Sequence, residues 1–476
     1  MPSLSILVRS WPLPDLAADR VDSTTALVRR LGLGGATITN ILAMIGIGPF
    51  ITIPLLLGTM RGPQAMLGWV IGAAVAICDG LVWAELGAAI PRSGGGYHYL
   101  LESYGPNGVG RLMSFLYLWQ AVALTPLFMG SGAVGFARYS MYLCPAMTGG
   151  QARLLAIGVC VVATLLIYRR IDGVGRWGTV FGLIILGEAL WIVVDGALNL
   201  GGARLDVPAD AFDMSRDFWL GLGGATLYAM YDYAGYQTVC SVGGEVLRPA
   251  VTIPRSIVLA TMSVATLYFA MNLSILTVMP WQDAMRSQFV VSDFIARIHG
   301  AGAASFMTLL ILVTTLAGVF AGMLGASRIP YAAAANGRFF RVFAYLHPTR
   351  QFPAFSVLFV GGASALCCLL DLDDLIQAAT VISILIVAFP MLGAVIALRR
   401  NRPDIDRPFR IWLYPVPLVV ALVGWSYILS TTGMIYIAAG LVLLAIGIVA
   451  YLWRARQASE WPWSTTLEAA KLEVRS

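Results

Sequence analysis

The sequence predicts an all-α membrane protein of twelve transmembrane helices, and three observations lead there. Of 476 residues, 58% are hydrophobic and only 12% are charged, and the mean hydropathy is +0.79. A water-soluble domain of this size needs more charge to cover its surface. Many windows of about 20 residues carry few or no ionisable side chains, which is enough to cross a hydrocarbon core of about 30 Å. Finally, Lys and Arg are divided unevenly between alternate loops.

In chain order the apolar spans fall near 35–58, 63–90, 109–137, 152–168, 176–200, 217–246, 254–280, 302–330, 353–370, 374–398, 412–430 and 433–453. They form one continuous membrane domain over 35–453. It lies between a polar, Arg-bearing tail (1–34) and a charged tail (454–476) in which 465–475 could form a short interfacial helix. With the N-terminus in the cytosol, the cytosolic segments and their flanking helix ends hold 24 of the 31 Lys and Arg. This positive-inside bias places both termini in the cytosol. The outer loops carry acids instead: Asp206, Asp210, Asp213, Asp217, Asp283, Asp371, Asp373 and Asp374. The net charge of +6 therefore reflects topology and gives no reason to expect nucleic acid. The six cysteines lie almost entirely in apolar spans, so neither a disulfide framework nor a zinc site is expected. No signal peptide is read before the first span.

Two of the spans are interrupted. Gly46-Ile47-Gly48-Pro49-Phe50 breaks the first, and Tyr231-Asp232-Tyr233-Ala234-Gly235 breaks the sixth. A broken helix in lipid leaves N–H and C=O groups without partners, a cost tolerated mainly where those groups line a cavity. The second break comes five spans after the first. An odd number of helices per half inverts the second half in the membrane, giving repeats of about 35–200 and 217–398. That is the plan of secondary transporters, with substrate held at mid-membrane. Exposed amides at a half-helix N-terminus favour an anion, and glycine lets a ligand approach the backbone closely.

Further patches follow in order: Ala84-Glu85-Leu86-Gly87-Ala88, then Pro91-Arg92-Ser93-Gly94-Gly95-Gly96-Tyr97, where the chain turns. Gly244-Glu245-Val246-Leu247-Arg248-Pro249, Ser327-Arg328, Asn336-Gly337-Arg338 and Arg407-Pro408-Phe409-Arg410 come later. In order and spacing these patches, with the first break, resemble the amino acid–polyamine–organocation permeases over about residues 30–455. The resemblance implies a leucine-transporter-type core of five plus five inverted-repeat helices, with two extra helices at about 412–453. It implies a plasma-membrane protein (in a bacterium, the inner membrane) that carries an amino acid, or alternatively a polyamine or other organic cation. It also implies that the amides around Ile45, Gly46, Ile47 and Gly48 hold a substrate carboxylate. The amine would then meet carbonyls near Ala43 and the second break (Tyr231 to Gly235, including Tyr233), with Tyr231 closing as a gate. Ile47 and Pro49 depart from the family's commoner Gly-Ser-Gly-Ile-Phe, losing a serine hydroxyl and one N–H.

Asp232 has three readings: contact with a substrate amine, a proton carrier, or a carboxylate facing a polar vestibule. An unpaired carboxylate at mid-bilayer costs about 2.5–3.5 kcal/mol on insertion scales, so such residues tend to pair or to function. Some relatives couple to protons through a lysine on the fifth helix. Gly182 stands at that position and the sole lysine is Lys471. Glu188, Asp79 and Asp232 remain as coupling candidates, with Asp195 near the end of the same helix. Glu85 reads as a structural ion pair with an arginine. Trp119, Gln120, Thr314, Thr315, Thr380 and Ser383 are candidate cavity residues. No cofactor or metal is expected, and H+ and Na+ both stay open as coupling ions. Gly130-Ser131-Gly132-Ala133-Val134-Gly135 fits a dinucleotide pattern but lies inside an apolar helix without a preceding strand, so close helix packing is the better reading. The three histidines, His98, His299 and His347, have no metal-ligand spacing, and no hydrolase nucleophile motif is present. An enzyme is not expected.

Overall fold

A computed structural model describes residues 29–168, 174–199, 206–348, 352–458 and 460–463. Most of the N-terminal tail, Lys471 and the expected helix at 465–475 lie outside the described residues. The described chain is helical throughout: α1 (Leu33–Met44), α2 (Gly48–Ile51), α3 (Ile53–Met60), α4 (Leu67–Ala89), α5 (Gly96–Tyr104), α6 (Val109–Leu143), α7 (Gly149–Tyr168) and α8 (Val174–Leu198) come first. Then follow α9 (Arg216–Tyr233), α10 (Thr238–Ser241), α11 (Pro249–Val278), α12 (Trp281–Arg286), α13 (Val290–Ala335), α14 (Ala354–Cys367), α15 (Leu372–Ser383), α16 (Phe389–Asn401), α17 (Val416–Thr431) and α18 (Met434–Gln457). Among the described residues, nine helical segments are long and apolar enough to cross a membrane. The other three expected spans fall on α9, which ends at the second break, and on the shorter apolar helices α14 and α17.

Three local features differ from the sequence reading. The segment from Pro91 was expected only to turn the chain, but a helix starts at Gly96, because Gly94 (φ +104°) and Gly95 (φ +47°) take up the turn. Helix α13 runs back through Val290 with a kink at Gly300 (φ +81°). Between α15 and α16 a π-helical turn, Ile384–Ala388, widens the helix just before Pro390, as such bulges do where a proline disrupts the hydrogen-bond ladder.

The helices pack through small residues. A methyl group on Gly68 of α4 would lie 2.7 Å from the Ala225 backbone of α9, and one on Gly72 would lie 3.0 Å from Ala229. Backbones that approach this closely gain contacts along both helices, the main source of helix association in lipid. Behind them Trp69, Tyr233 and Tyr268 form a buried ring cluster with centroids 5.5–6.1 Å apart. Helix α6 packs against α13, and α1 against α11. Just before α1 the chain pairs with the segment after α10: Arg30 and Leu31 donate to the Glu245 carbonyl (2.9 and 3.0 Å), and Leu247 donates back to Leu31 (2.9 Å).

One end of the bundle is basic. There Arg399 of α16 grips Glu85 of α4 with two bonds (2.8 and 2.6 Å), and the Ile411 amide adds a third at 2.8 Å. This is the arginine partner expected for Glu85. Arg402 and Arg92 share Glu102 nearby. The opposite end carries Asp210, Asp213 and Asp217 beside Arg61. These ends are called the basic and acidic faces below.

Candidate functional site

Both expected interruptions are present. Helix α1 ends at Ile45, whose backbone turns extended (φ −80°, ψ 107°). The chain becomes helical again at Gly48, with Pro49 in the first turn, where its fixed φ and missing N–H cost nothing. The N–H groups of Gly46, Ile47 and Gly48 donate to no backbone carbonyl. They are three consecutive free donors at the start of a half-helix. A methyl group on Gly46 would meet no atom within 4 Å, so the backbone there borders open space.

The second interruption follows Tyr233. Ala234 is extended, and Gly235 takes φ +119°, a conformation that glycine alone adopts without strain. A methyl group on Gly235 would lie 2.7 Å from the Ala43 carbonyl oxygen and 3.0 Å from the Met44 nitrogen. The two breaks therefore touch, backbone to backbone, and glycine is what lets them.

Asp232 lies at this contact and is 3% exposed. Thr52, between α2 and α3, donates its hydroxyl to Asp232 Oδ2 (2.5 Å). Asp232 Oδ1 has no hydrogen-bond partner. It points at Gly48, where an added methyl would sit 2.2 Å from it. Tyr231 is also buried. Its ring stacks on Phe128 of α6 (centroids 5.1 Å apart, planes at 18°), and its hydroxyl meets Ser131 Oγ at 2.5 Å. Ser131 gives its own hydrogen to the Phe128 carbonyl (2.8 Å), so Tyr231 is the donor. Tyr231 thus ties the second break to α6.

Other buried polar side chains satisfy backbone groups that the breaks release. Tyr268 of α11 donates to the Met44 carbonyl (3.0 Å) at the end of α1, and Tyr139 of α6 donates to the Phe50 carbonyl (2.8 Å). Asn40 Oδ1 accepts from the Val239 amide (2.8 Å) in α10. Sequence reading named none of Thr52, Asn40, Tyr139 or Tyr268, and took Ser131 only as part of a helix-packing stretch. Asn40 carried a signal, a polar residue one turn from a break in an apolar span. The tyrosines carried none, because any helix face can bury one.

Not every candidate joins this group. Trp119 turns away, packing on Gly447 of α18 and donating to the Leu443 carbonyl (3.0 Å). Gln120 is buried with Oε1 unpartnered, but it precedes Phe128 by about 12 Å of helix, toward the basic face. Ile47 reaches α6, where its Cδ1 lies 2.9 Å from a methyl placed on Gly135. Thr315 and Thr380 hydroxyls return to their own helices, at the carbonyls of Ile311 and Ile376. Ser383 leads into the π-helical turn.

The coupling candidates differ in their partners. Asp79 is held on both oxygens, by the Tyr236 hydroxyl (2.6 Å) just past the second break and by the Trp425 indole (3.2 Å) of α17. Glu188 is 1% exposed and receives only a long 3.4 Å contact from Thr314, and its Oε2 has no partner. Asp195 pairs with His299 at 2.9 Å. Among the described residues no group of three or more His, Cys, Asp or Glu side chains is arranged to hold a metal. All six cysteines are free. Cys144 is exposed, outside the buried role expected of the group.

Free main-chain donors beside an unpartnered carboxylate, enclosed in an apolar helical bundle, suit the capture of a small polar solute and its passage through the bilayer. The molecule is a multi-pass membrane transporter and not an enzyme. A family described as amino acid permease matches residues 31–467, and the chain belongs to that family. It is 28% identical to the Asc-type amino acid transporter 1 of Mus musculus, covering 92% of this chain and 84% of the relative. It is 27% identical to the large neutral amino acids transporter small subunit 2 of Homo sapiens (90% and 80% covered). It is 24% identical to the methylthioribose transporter of Bacillus subtilis (strain 168), with 96% and 99% covered.

Proposed function

We propose that the chain carries out secondary active uptake of an amino acid by alternating access. In this reading twelve spans form five-plus-five inverted repeats followed by two further helices. Both termini and the basic face lie in the cytosol, and the acidic face lies outside. The substrate carboxylate sits on the Gly46, Ile47 and Gly48 amides. Its ammonium meets Asp232 Oδ1 and the carbonyls near Ala43, and Tyr231 closes over it. The observation that carries the reading is the contact of the two breaks, Gly235 on Ala43 and Met44, with free donors and an unpartnered carboxylate on either side of it. Glu188 is assigned to proton coupling in preference to Asp79, since one Glu188 oxygen is unpartnered while both Asp79 oxygens are held.

A polyamine or other organic-cation permease is the second reading, favoured by the orphaned Asp232 oxygen. One experiment separates the two. Purified protein in proteoliposomes is offered labelled leucine, arginine, putrescine and methylthioribose, with and without pH and sodium gradients. Uptake of leucine or arginine, driven by a gradient, supports the amino acid reading. Uptake of putrescine alone supports the second, and movement of methylthioribose alone would reject both.

A further inference from the structure

The half-helix α10, which continues the second break toward the basic face, is gripped by the turn that leads into α5. Gly94 donates its amide to the Ser241 carbonyl (2.8 Å), and Ser93 and Val242 form an antiparallel bridge. A methyl group on Gly95 would lie 3.0 Å from the Cys240 carbonyl oxygen, and one on Gly243 would lie 3.3 Å from that of Arg92. Tyr99 of α5 reaches the same Cys240 oxygen with a long 3.5 Å contact. Backbone meets backbone from Cys240 to Gly243, so α10 shifts only if this turn lets go.

His98 lies over this turn. A methyl group on Gly94 would lie 3.2 Å from its ring. The residue is half-buried, and its Nδ1 and the Ser93 hydroxyl are buried atoms without hydrogen-bond partners among the described residues. The charged groups that act on it are Arg92 before the turn, Glu102 one turn further along α5, and Arg338 past the end of α13. Glu102 is already committed to Arg92 (3.4 Å) and to Arg402 just past α16 (3.1 Å). A small cavity beside Tyr97 and Arg338 adds Arg111 of α6, Arg454 and Glu460, and both of these arginines pair with Glu460. Burial pushes the His98 imidazole below its ordinary range, and Arg92 and Arg338 push the same way against Glu102.

A neutral ring suits these surroundings. A proton would add a third cation beside two arginines, and would make both ring nitrogens donors although Nδ1 meets no acceptor. We propose that the turn is a pH-gated latch on α10, closed while His98 is neutral and released when His98 takes a proton from the compartment that the basic face meets. The closed turn lowers the proton affinity of His98. It is therefore favoured above about pH 6.5, the ordinary imidazole range, and loses that support as pH falls below it. In the reading proposed above, on which this step rests, the compartment is the cytosol, and acid there favours opening of the site inward.

The test is hydrogen–deuterium exchange of the full-length protein in nanodiscs, with the same pH on both faces and rates corrected for the intrinsic pH dependence of exchange. Between about pH 7.5 and about pH 5.5, peptides covering 91–99 and 238–246 should lose protection several-fold in the wild type, while peptides from the acidic end of α9 keep theirs. His98→Gln should stay protected at both pH values, and His98→Arg should be unprotected at both. Arg338→Gln leaves His98 in place but removes a repelling cation, so it should move the loss to higher pH. A pH response that persists in His98→Gln would overturn the proposal. So would one that Arg338→Gln leaves where it was. No solute or gradient enters this measurement, so its failure would leave the uptake reading standing, and absent uptake would leave the latch.

Discussion

Asp79 and Asp232 are both carboxylates buried inside membrane-spanning helices, yet they are treated differently. Asp79 has a donor on each oxygen, one from the strand of chain that follows the second break and one from α17. Asp232 has one donor, and its free oxygen faces the first break. A carboxylate on α4 supplied with donors from two other elements is a pin, holding α4, α17 and the second break in register. One left half-supplied at the edge of three free amides keeps an unmet acceptor, which the proposed ammonium contact would complete. Glu85, with three bonds, belongs with the pins, and Glu188 with the half-supplied pair.

That contrast can be broken by substitution. The largest effect is expected from Gly48→Ala. The new methyl would overlap Asp232 Oδ1 at 2.2 Å, so the carboxylate must swing and the Thr52 bond must break. Overpacking costs of about 1–3 kcal/mol should cut substrate affinity roughly 10- to 100-fold for every substrate in uptake assays. Unchanged uptake would mean that the two breaks are not in contact. Next comes Asp232→Asn, which should weaken leucine and arginine alike by more than about tenfold, because each loses the charge-assisted contact of its ammonium. Unchanged affinity for both would reject an ammonium contact. Asp79→Asn retains one acceptor and should lower the unfolding free energy by about 1 kcal/mol, read as a lower melting temperature with substrate preference unchanged. A changed preference would move Asp79 from pin to ligand contact. The smallest effect is expected from Trp119→Phe, which gives up the bond to Leu443 for about 0.5–1.5 kcal/mol of stability and should leave uptake kinetics as they were.

Much of the site was legible because its signals are local. Glycine and proline act on their own backbone, so Gly46, Gly48, Pro49 and Gly235 marked both interruptions without any knowledge of neighbours. Asp232 was legible because a charge in an apolar span is costly wherever the span packs. Trp119 was misjudged as a cavity residue because α6 is apolar on every side, and such a helix gives no pattern by which to choose its inward face. The π-helical turn and the helix beginning at Gly96 were missed for a related reason, since each depends on how neighbouring helices constrain a short stretch of backbone.

By itself the sequence determined that the chain lives in a bilayer, roughly where each helix begins, and where two of them fail. Those properties follow from the transfer cost of side chains and the dihedral limits of single residues, which act without regard to distant partners. Which buried acids are satisfied was decided only by the tertiary structure. Asp79 meets Tyr236 and Trp425, residues 157 and 346 positions away in the chain, and Asp232 meets Thr52 from 180 positions away. Hydrogen bonds require groups to arrive within about 3 Å at the right angle, and only the packed bundle brings them there.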